Sequence, residues 1–322
     1  MHLALRQCTD KRVWDRIVES SPQGNIFCDS RFLDSLGEEY DLFLVEEDGR
    51  AKLGAVVLKR AGQPLPAPHP FTLYQGCLFD EASTSLPHHS RAKWSLDVTT
   101  FLLGELERRY HRLSFCLHHT VSDLRSFQWF HYHEPQRGQF RIDLRYTGLL
   151  DLAGIPDFEA YLLTIRKVRR YEYRRALSDG LVIEESNDLE TLRRLYHLTF
   201  ERQGIEQSPK DEGLMLRIAE AALRHGFGHL LLCKAPKGVI ASATLFLYDQ
   251  HTGYYLVAAN DPEYRKSDTG TYLMLENIRR CKEAGVREID FVGINSPNRG
   301  DFKTSFNAAP VPYFVVDWDG SK

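Results

Sequence analysis

The chain has 322 residues, a formal net charge of −3, 43% hydrophobic and 11% aromatic residues. That composition suits two folded domains of ordinary size and excludes intrinsic disorder; a surface basic throughout is excluded, but not a local basic patch. The six cysteines (Cys8, Cys28, Cys77, Cys116, Cys233, Cys281) are scattered, with no C-x-x-C pair to support a zinc ribbon or thioredoxin-like chemistry. No apolar run approaches the ~20 residues of a membrane span and no leader pattern opens the sequence. The expected setting is a reducing cytoplasm.

In chain order, Thr9 and Asp10 offer a cap for a helix with Trp14, Ile17 and Val18 on one face. A short helix is predicted from Asp29, with Phe32, Leu33 and Leu36 inward. Residues 40–47 and 52–60 are β-rich and joined by Asp48-Gly49, a hairpin signal. Pro64, Pro66, Pro68 and Pro70 mark a stiff loop, and a helix over 90–109 and a strand over 112–117 follow. After residues 149–151 the pattern restarts. Helical segments run through 158–176, a strand through 181–185, and helices through 189–202 and 212–225. A second hairpin, 229–234 with 239–248, turns at Pro236-Lys237-Gly238, followed by a strand at 253–258, a helix at 269–284 and a strand at 287–292. Both halves thus run helices, long antiparallel hairpin, strand, helix, strand, a weak internal duplication of α+β class. The last strand, 311–318, is free to return to the first half.

A set of motifs in this order resembles the FemAB family of GNAT-type acyltransferases. Arg166-Lys167-Val168-Arg169-Arg170-Tyr171, with Arg174-Arg175-Ala176 and Gly180, resembles the basic helix and glycine that open the family's second lobe. Phe200-Glu201-Arg202-Gln203-Gly204 resembles its helix-ending Arg-x-Gly segment. Ile289-Asp290-Phe291-Val292-Gly293 and Phe302-Lys303-Thr304-Ser305-Phe306 resemble its closing D-F-x-G and F-K-x-x-F signature. In the first half, Tyr74-Gln75-Gly76-Cys77-Leu78-Phe79-Asp80 resembles a Tyr-x-Gly-x-x-x-Asp region.

The resemblance implies two tandem GNAT-like lobes, each a mostly antiparallel mixed sheet flanked by helices, over residues 1–148 (with 308–322 returning) and 149–307, and a substrate channel between them. It implies transfer of an activated acyl group to an amine of a small metabolite or cell-envelope precursor. No permanently bound cofactor is implied; aminoacyl-tRNA or acyl-CoA acts as co-substrate. The chain departs from the family pattern twice. Asp29-Ser30-Arg31-Phe32-Leu33 replaces the Gln-Ser, Trp and Lys of peptidoglycan-bridge enzymes. In Arg265-Lys266-Ser267-Asp268-Thr269-Gly270, Asp268 stands where coenzyme-A-binding loops carry glycine. A carboxylate and a Cβ both oppose a phosphate at a helix N-terminus, which disfavours acetyl-coenzyme A.

Amide formation needs a group that stabilises the oxyanion, and a preorganised donor there contributes ~2.7–4 kcal/mol. Lys303, flanked by Phe302 and Phe306, is the first candidate; the competing reading is an ordinary surface lysine between two core aromatics. Asp290, inside an apolar strand, must find hydrogen bonds or a cation, so a structural role competes with that of catalytic base. Arg166, Arg170 and Arg174 form a predicted helical stripe suited to phosphates, against the alternative of a solvated charged face. Arg202 adds a phosphate contact by resemblance, or a cation answering its helix dipole. Tyr74, Asp80, Tyr255 and Asn260 lie at strand ends or loops that often line clefts and are candidate substrate contacts. His118-His119 and His131-Tyr132-His133 lack a third ligand at familiar spacing, so no metal site is expected. Neither G-x-S-x-G nor G-x-x-x-x-G-K-[ST] occurs. The resulting expectation is an N-acyltransferase that prefers an aminoacyl-tRNA donor. The alternative is a non-catalytic nucleotide- or RNA-binding protein on the same fold.

Overall fold

The computed structural model describes residues 2–202, 204, 208–264 and 266–321, the side chains of Arg202 and Lys237 excepted. Its contacts divide it into two compact units, Met1–Arg145 with Pro312–Lys322, and Tyr146–Val311.

The first unit opens with β1 (Leu3–Gln7), α1 (Lys11–Ser20) and α2 (Ser30–Ser35). Asp10 and Asp29 cap the two helices by accepting from N–H groups of their first turns, as short acceptor side chains do there. Trp14 and Val18, four residues apart on α1, are buried. β2 (Glu39–Glu47) and β3 (Arg50–Arg60) form an antiparallel hairpin. Its turn demands left-handed backbone, φ 49° at Asp48 and 75° at Gly49, which these two residue types tolerate. The short β4 (Gln63–Pro64) and β5 (Leu78–Phe79) also pair with β3. α3 (His88–Glu107) packs Val98, Leu102, Leu103 and Leu106 into one core with Phe43, Val45 and Leu53 of the hairpin. β6 (Arg112–Cys116) and the single turn α4 (Arg125–Gln128) follow.

β7 (Arg141–Asp151) carries the chain into the second unit. There come α5 (Phe158–Thr164), α6 (Lys167–Ser178), β8 (Val182–Ser186), α7 (Leu189–Arg202), α8 (Pro209–His225), β9 (Gly228–Lys234) and β10 (Ile240–Tyr248). β11 (Thr252–Asn260), α9 (Thr269–Glu283), β12 (Glu288–Asp290) and α10 (Pro297–Thr304) complete it. Its strands run in the order β7-β12-β11-β10-β9-β8, antiparallel except for the β11–β12 pair. β13 (Ala309–Asp319) returns to the first unit and pairs with β6 from Val315 opposite Cys116 to Asp319 opposite Arg112.

The α+β class and the two hairpins match expectation, and the element boundaries differ in detail. The helical segments predicted through 158–176 are two helices, separated where Arg166 is extended (φ −54°, ψ 140°) and its N–H bonds Ser305 O rather than a helical carbonyl. The strand predicted over 287–292 stops at Asp290, since Val292 turns to φ 53°. β1, β7 and α10 were not predicted: the first is short, the second alternates around charged residues, and the third buries no residue that would give it an apolar stripe.

Candidate functional site

The turn that ends β12 organises the second unit's polar centre. Val292 sits at φ 53° and Gly293 at 75°. For a β-branched residue that region is a true outlier, costing ~1–3 kcal/mol, so surrounding bonds must hold it. Lys303 Nζ donates to the carbonyl oxygens of Phe291 (2.5 Å), Gly293 (2.9 Å) and Val292 (3.0 Å). From the other side Asp290, 1% exposed, accepts from the Val292 N–H (2.7 Å) and the Thr147 hydroxyl (2.5 Å). Thr147 Oγ1 in turn accepts from the Gly293 N–H at 3.2 Å. The turn is therefore held at its carbonyls by an ammonium and at its amides by a carboxylate and a hydroxyl.

Burial pushes Lys303 down to about 8, with Asp290 pulling its proton affinity back up and Arg299 opposing it. The Lys303 ammonium lies 5.9 Å from the centre of the Tyr255 ring, which also meets Phe291 at 6.3 Å. Tyr255 is 6% exposed, and its hydroxyl bonds no other described residue. Burial raises its pKa, keeping it protonated as a donor. Lys303, Asp290 and Tyr255 are thus brought together. All three ammonium protons of Lys303 are already committed, whereas the Tyr255 hydroxyl is not.

Glu288 lies two residues before Asp290 on β12 and so faces the same side. Burial, then the charges of Asp290, Asp151 and Asp249, hold it up to about 7. A carboxyl raised in the folded state contributes stability that is present below its ordinary range and lost as pH rises through about 7. Glu288→Gln is therefore expected to raise the melting temperature by roughly 3–6 °C at pH 8.5 and to leave it unchanged at pH 4.5. An equal shift at both pH values, read by thermal melts, would contradict this assignment.

The predicted arginine stripe is redistributed by the break before α6. Arg166 lies outside the helix and pairs with Asp301 at 2.7 Å. Arg169, which sequence reasoning passed over, is the one that turns inward. It donates to Ser305 Oγ (2.7 Å) and Glu172 (2.6 Å), with its guanidinium 4.6 Å from the Phe302 ring and 5.5 Å from that of Phe306. Its spacing to the buried Ala176 was the available signal, since seven residues is two helical turns. On the opposite face Lys167, Arg170 and Arg174 have no ion pair among the described residues, and Tyr171 beside them is 67% exposed.

At the start of α9, Asp268 adopts φ 59° and gives no side-chain cap. Its carboxylate is instead held by Arg175 through bonds of 2.5 and 2.7 Å. Asn260 stands next to this helix end: its Oδ1 accepts from Ser242 (2.7 Å), whose hydroxyl also meets Thr269 Oγ1 at 2.5 Å. Arg265 and the side chain of Arg202 lie outside the described residues.

In the first unit Tyr74 is 1% exposed, tilted against His118 with ring centres 4.7 Å apart and edge-on to Tyr313 at 5.8 Å. Asp80 accepts from the Ala82 N–H and caps a tight turn over 81–85. His131 lies in a turn at φ 53°, with Nδ1 2.8 Å from Gly138 O. Among the described residues no group of three or more His, Cys, Asp or Glu is placed to hold a metal ion. Nor does any helix among them have the length and apolarity to cross a membrane.

The comparisons with known proteins agree with this architecture. Residues 164–304 match the family described as acetyltransferase (GNAT) domain. The protein is accordingly an acyltransferase of the GNAT fold, with a GNAT domain in its second unit. The chain is similar in fold to the solved structure of FemX, at 14% identity, 98% coverage of this chain, 97% of that one and a TM-score of 0.70. The L-PGS structure from Bacillus licheniformis matches at 13% identity, covering 97% and 93% with a TM-score of 0.57. A tandem GNAT protein from the clavulanic acid biosynthesis pathway matches at 13%, covering 98% of both chains with a TM-score of 0.51. At such identities the likeness concerns the fold, here the tandem-GNAT, FemAB-like architecture. Among curated proteins no sequence match was found.

Proposed function

We propose that the protein transfers an aminoacyl group from aminoacyl-tRNA to the amine of a small metabolite or cell-envelope precursor. The observation that carries the donor assignment is the outward face of α6, where Lys167, Arg170 and Arg174 have no ion pair among the described residues and Tyr171 is exposed beside them. Cations with a stackable ring suit a nucleic-acid backbone. At the start of α9, the Cβ of Asp268 stands against a pyrophosphate, although Arg175 answers its charge. That neutralisation is what favours a second reading, an acyl-CoA donor.

In the chemical step the acceptor amine attacks the acyl carbonyl, the tetrahedral oxyanion collapses, and the donor oxygen leaves with a proton. Tyr255 holds the uncommitted O–H and is the proposed donor to the developing negative oxygen. Lys303 and Asp290 act by holding the Phe291–Gly293 turn under it, and the ammonium adds a positive potential in a poorly hydrated setting. Direct contact of Lys303 with the oxyanion would require it to exchange one of its carbonyl partners.

The test is single-turnover transfer to a panel of amines from charged tRNA and, separately, from acetyl-coenzyme A. Product from charged tRNA alone is the expected result; product from the thioester alone selects the second reading. Binding of RNA without product from either donor supports a non-catalytic protein on the same fold.

A further inference from the structure

The C-terminal half of α3 forms one side of a cavity of about 630 Å³, and the turns around Trp129 and His131 form the other. Its volume falls in the range of small-molecule sites. The residues that line it all belong to the first unit, and none is used above for acyl transfer. Gly104 lies within α3, three residues short of its end, where glycine weakens a helix. Neither the backbone nor a close neighbour asks for it there: its φ is not positive, and a Cβ built on it meets nothing within 4 Å. The side chain it lacks is the space of the cavity. Phe101, Trp129 and Phe130 supply aromatic walls. Trp129, 51% exposed, already meets one cation, the Arg125 guanidinium 5.5 Å from its ring centre.

The polar end of the cavity is short of donors. The His131 side chain is 6% exposed, and its ring is clamped between those of Phe130, 3.9 Å away, and Trp318, 6.0 Å away. Nδ1 lies 2.8 Å from Gly138 O, and since a carbonyl only accepts, Nδ1 carries the ring proton. Nε2 is then a lone pair. It is buried, makes no hydrogen bond, and stands 2.9 Å from Glu107 Oε1, acceptor against acceptor. Buried polar atoms are normally paired, and the clamped ring cannot turn away to find a partner. Glu107 Oε1 accepts from Arg137 at 2.6 Å, whereas Oε2 accepts from no described residue. Arg137 divides its guanidinium between Glu107 and Glu134, so the carboxylates outnumber it. Glu107 is also the last residue of α3, the end that the helix dipole makes negative. An ammonium answers each of these features: it has several N–H donors, a positive charge and an attraction to aromatic faces.

We propose that this cavity binds a primary ammonium carried on a small apolar body, with Glu107 and His131 Nε2 accepting its protons and the aromatic walls covering the body. The proposal does not rest on the acyl-transfer reading: it predicts binding in the first unit whatever the donor and acceptor prove to be. Phenethylamine, cadaverine and Nα-acetyl-lysine amide, titrated into the full chain by calorimetry, separate an aromatic amine, a polyamine and a lysyl side chain as the source of that ammonium. At least one is expected to bind with a Kd below about 1 mM, the scale for so small a ligand. The tightest of them should bind at least about 10-fold more tightly than the alcohol that replaces its ammonium by a hydroxyl. Gly104→Leu puts a better helix former into α3 and a side chain into the cavity, so it should abolish binding without lowering the melting temperature. Glu107→Gln keeps an acceptor for Arg137 but removes the charge, and should weaken binding at least about 10-fold. The proposal is overturned if no amine binds saturably at millimolar concentration, the result that a doubly protonated His131 paired internally with Glu107 gives. It is equally overturned if the alcohol binds as tightly as its amine, or if Gly104→Leu and Glu107→Gln both bind with unchanged affinity.

Discussion

Lys303→Met is expected to lower the melting temperature by roughly 5–12 °C and to reduce single-turnover transfer at least about 100-fold. Methionine keeps the length and apolar stem of the side chain, so packing beside Phe302 and Phe306 survives. What goes is the one side chain that, among the described residues, donates to the carbonyls of Phe291, Val292 and Gly293. Buried acceptors without a donor cost about 1–3 kcal/mol each when water cannot reach them, and relaxation recovers part of that. Asp290, whose charge raises the Lys303 pKa, also loses that cation. The strained φ of 53° at Val292 then has less to hold it, and the turn beneath Tyr255 loosens. A positioning role and a purely structural one separate in the pH profile. Transfer by the wild type should fall as pH rises through about 8, where the ammonium loses its proton, while melting behaviour should not fall with it. The sign of the second statement follows from the depressed pKa: above it the folded state no longer bears the burial penalty of the charge, so stability increases between about 8 and the ordinary lysine range. Parallel loss of transfer and stability above pH 8 would leave Lys303 a structural residue only.

Whether a feature was legible in the sequence depended on how local its cause is. The cap offered by Thr9 and Asp10, the short helix from about Asp29, the Asp48-Gly49 turn and the inward Trp14 are decided within a few residues; the structure places the first cap at Asp10 and makes Asp29 the cap of the second helix. The break at Arg166 is not, because the bond that creates it comes from Ser305, far along the chain. With the break in place α6 rotates its cations: Arg169 is drawn between Phe302 and Phe306, while Lys167 joins Arg170 and Arg174 on the outside. The same holds at the candidate site. The F-K-x-x-F spacing singled out Lys303, but nothing local announces that a β-branched valine turns left-handed so that three consecutive carbonyls converge on one ammonium. Asp290 was read as a buried carboxylate in need of partners, and Thr147 and the Val292 amide supply them.

Replacing Lys167, Arg170 and Arg174 together by glutamine is expected to weaken charged-tRNA binding about 100–1000-fold while leaving the fold intact. Glutamine has much the same helix propensity as lysine and arginine. None of the three cations has an ion pair among the described residues, so their removal strands no internal carboxylate. Each phosphate contact contributes on the order of 1–1.5 kcal/mol and a counterion release of about 0.7–0.9. The slope of log affinity against log salt should therefore flatten by roughly 2–2.5 in the triple variant. Arg169→Gln behaves oppositely. It breaks bonds to Ser305 and Glu172 and uncovers two aromatic faces, so it should lower stability with little change in the salt slope. Two outcomes decide between donors. An unchanged salt slope in the triple variant removes the polyanion from the outward face of α6, and with it the argument for tRNA. A flattened slope with acyl-CoA turnover untouched places nucleic acid on that face while taking it out of the acyl-transfer step.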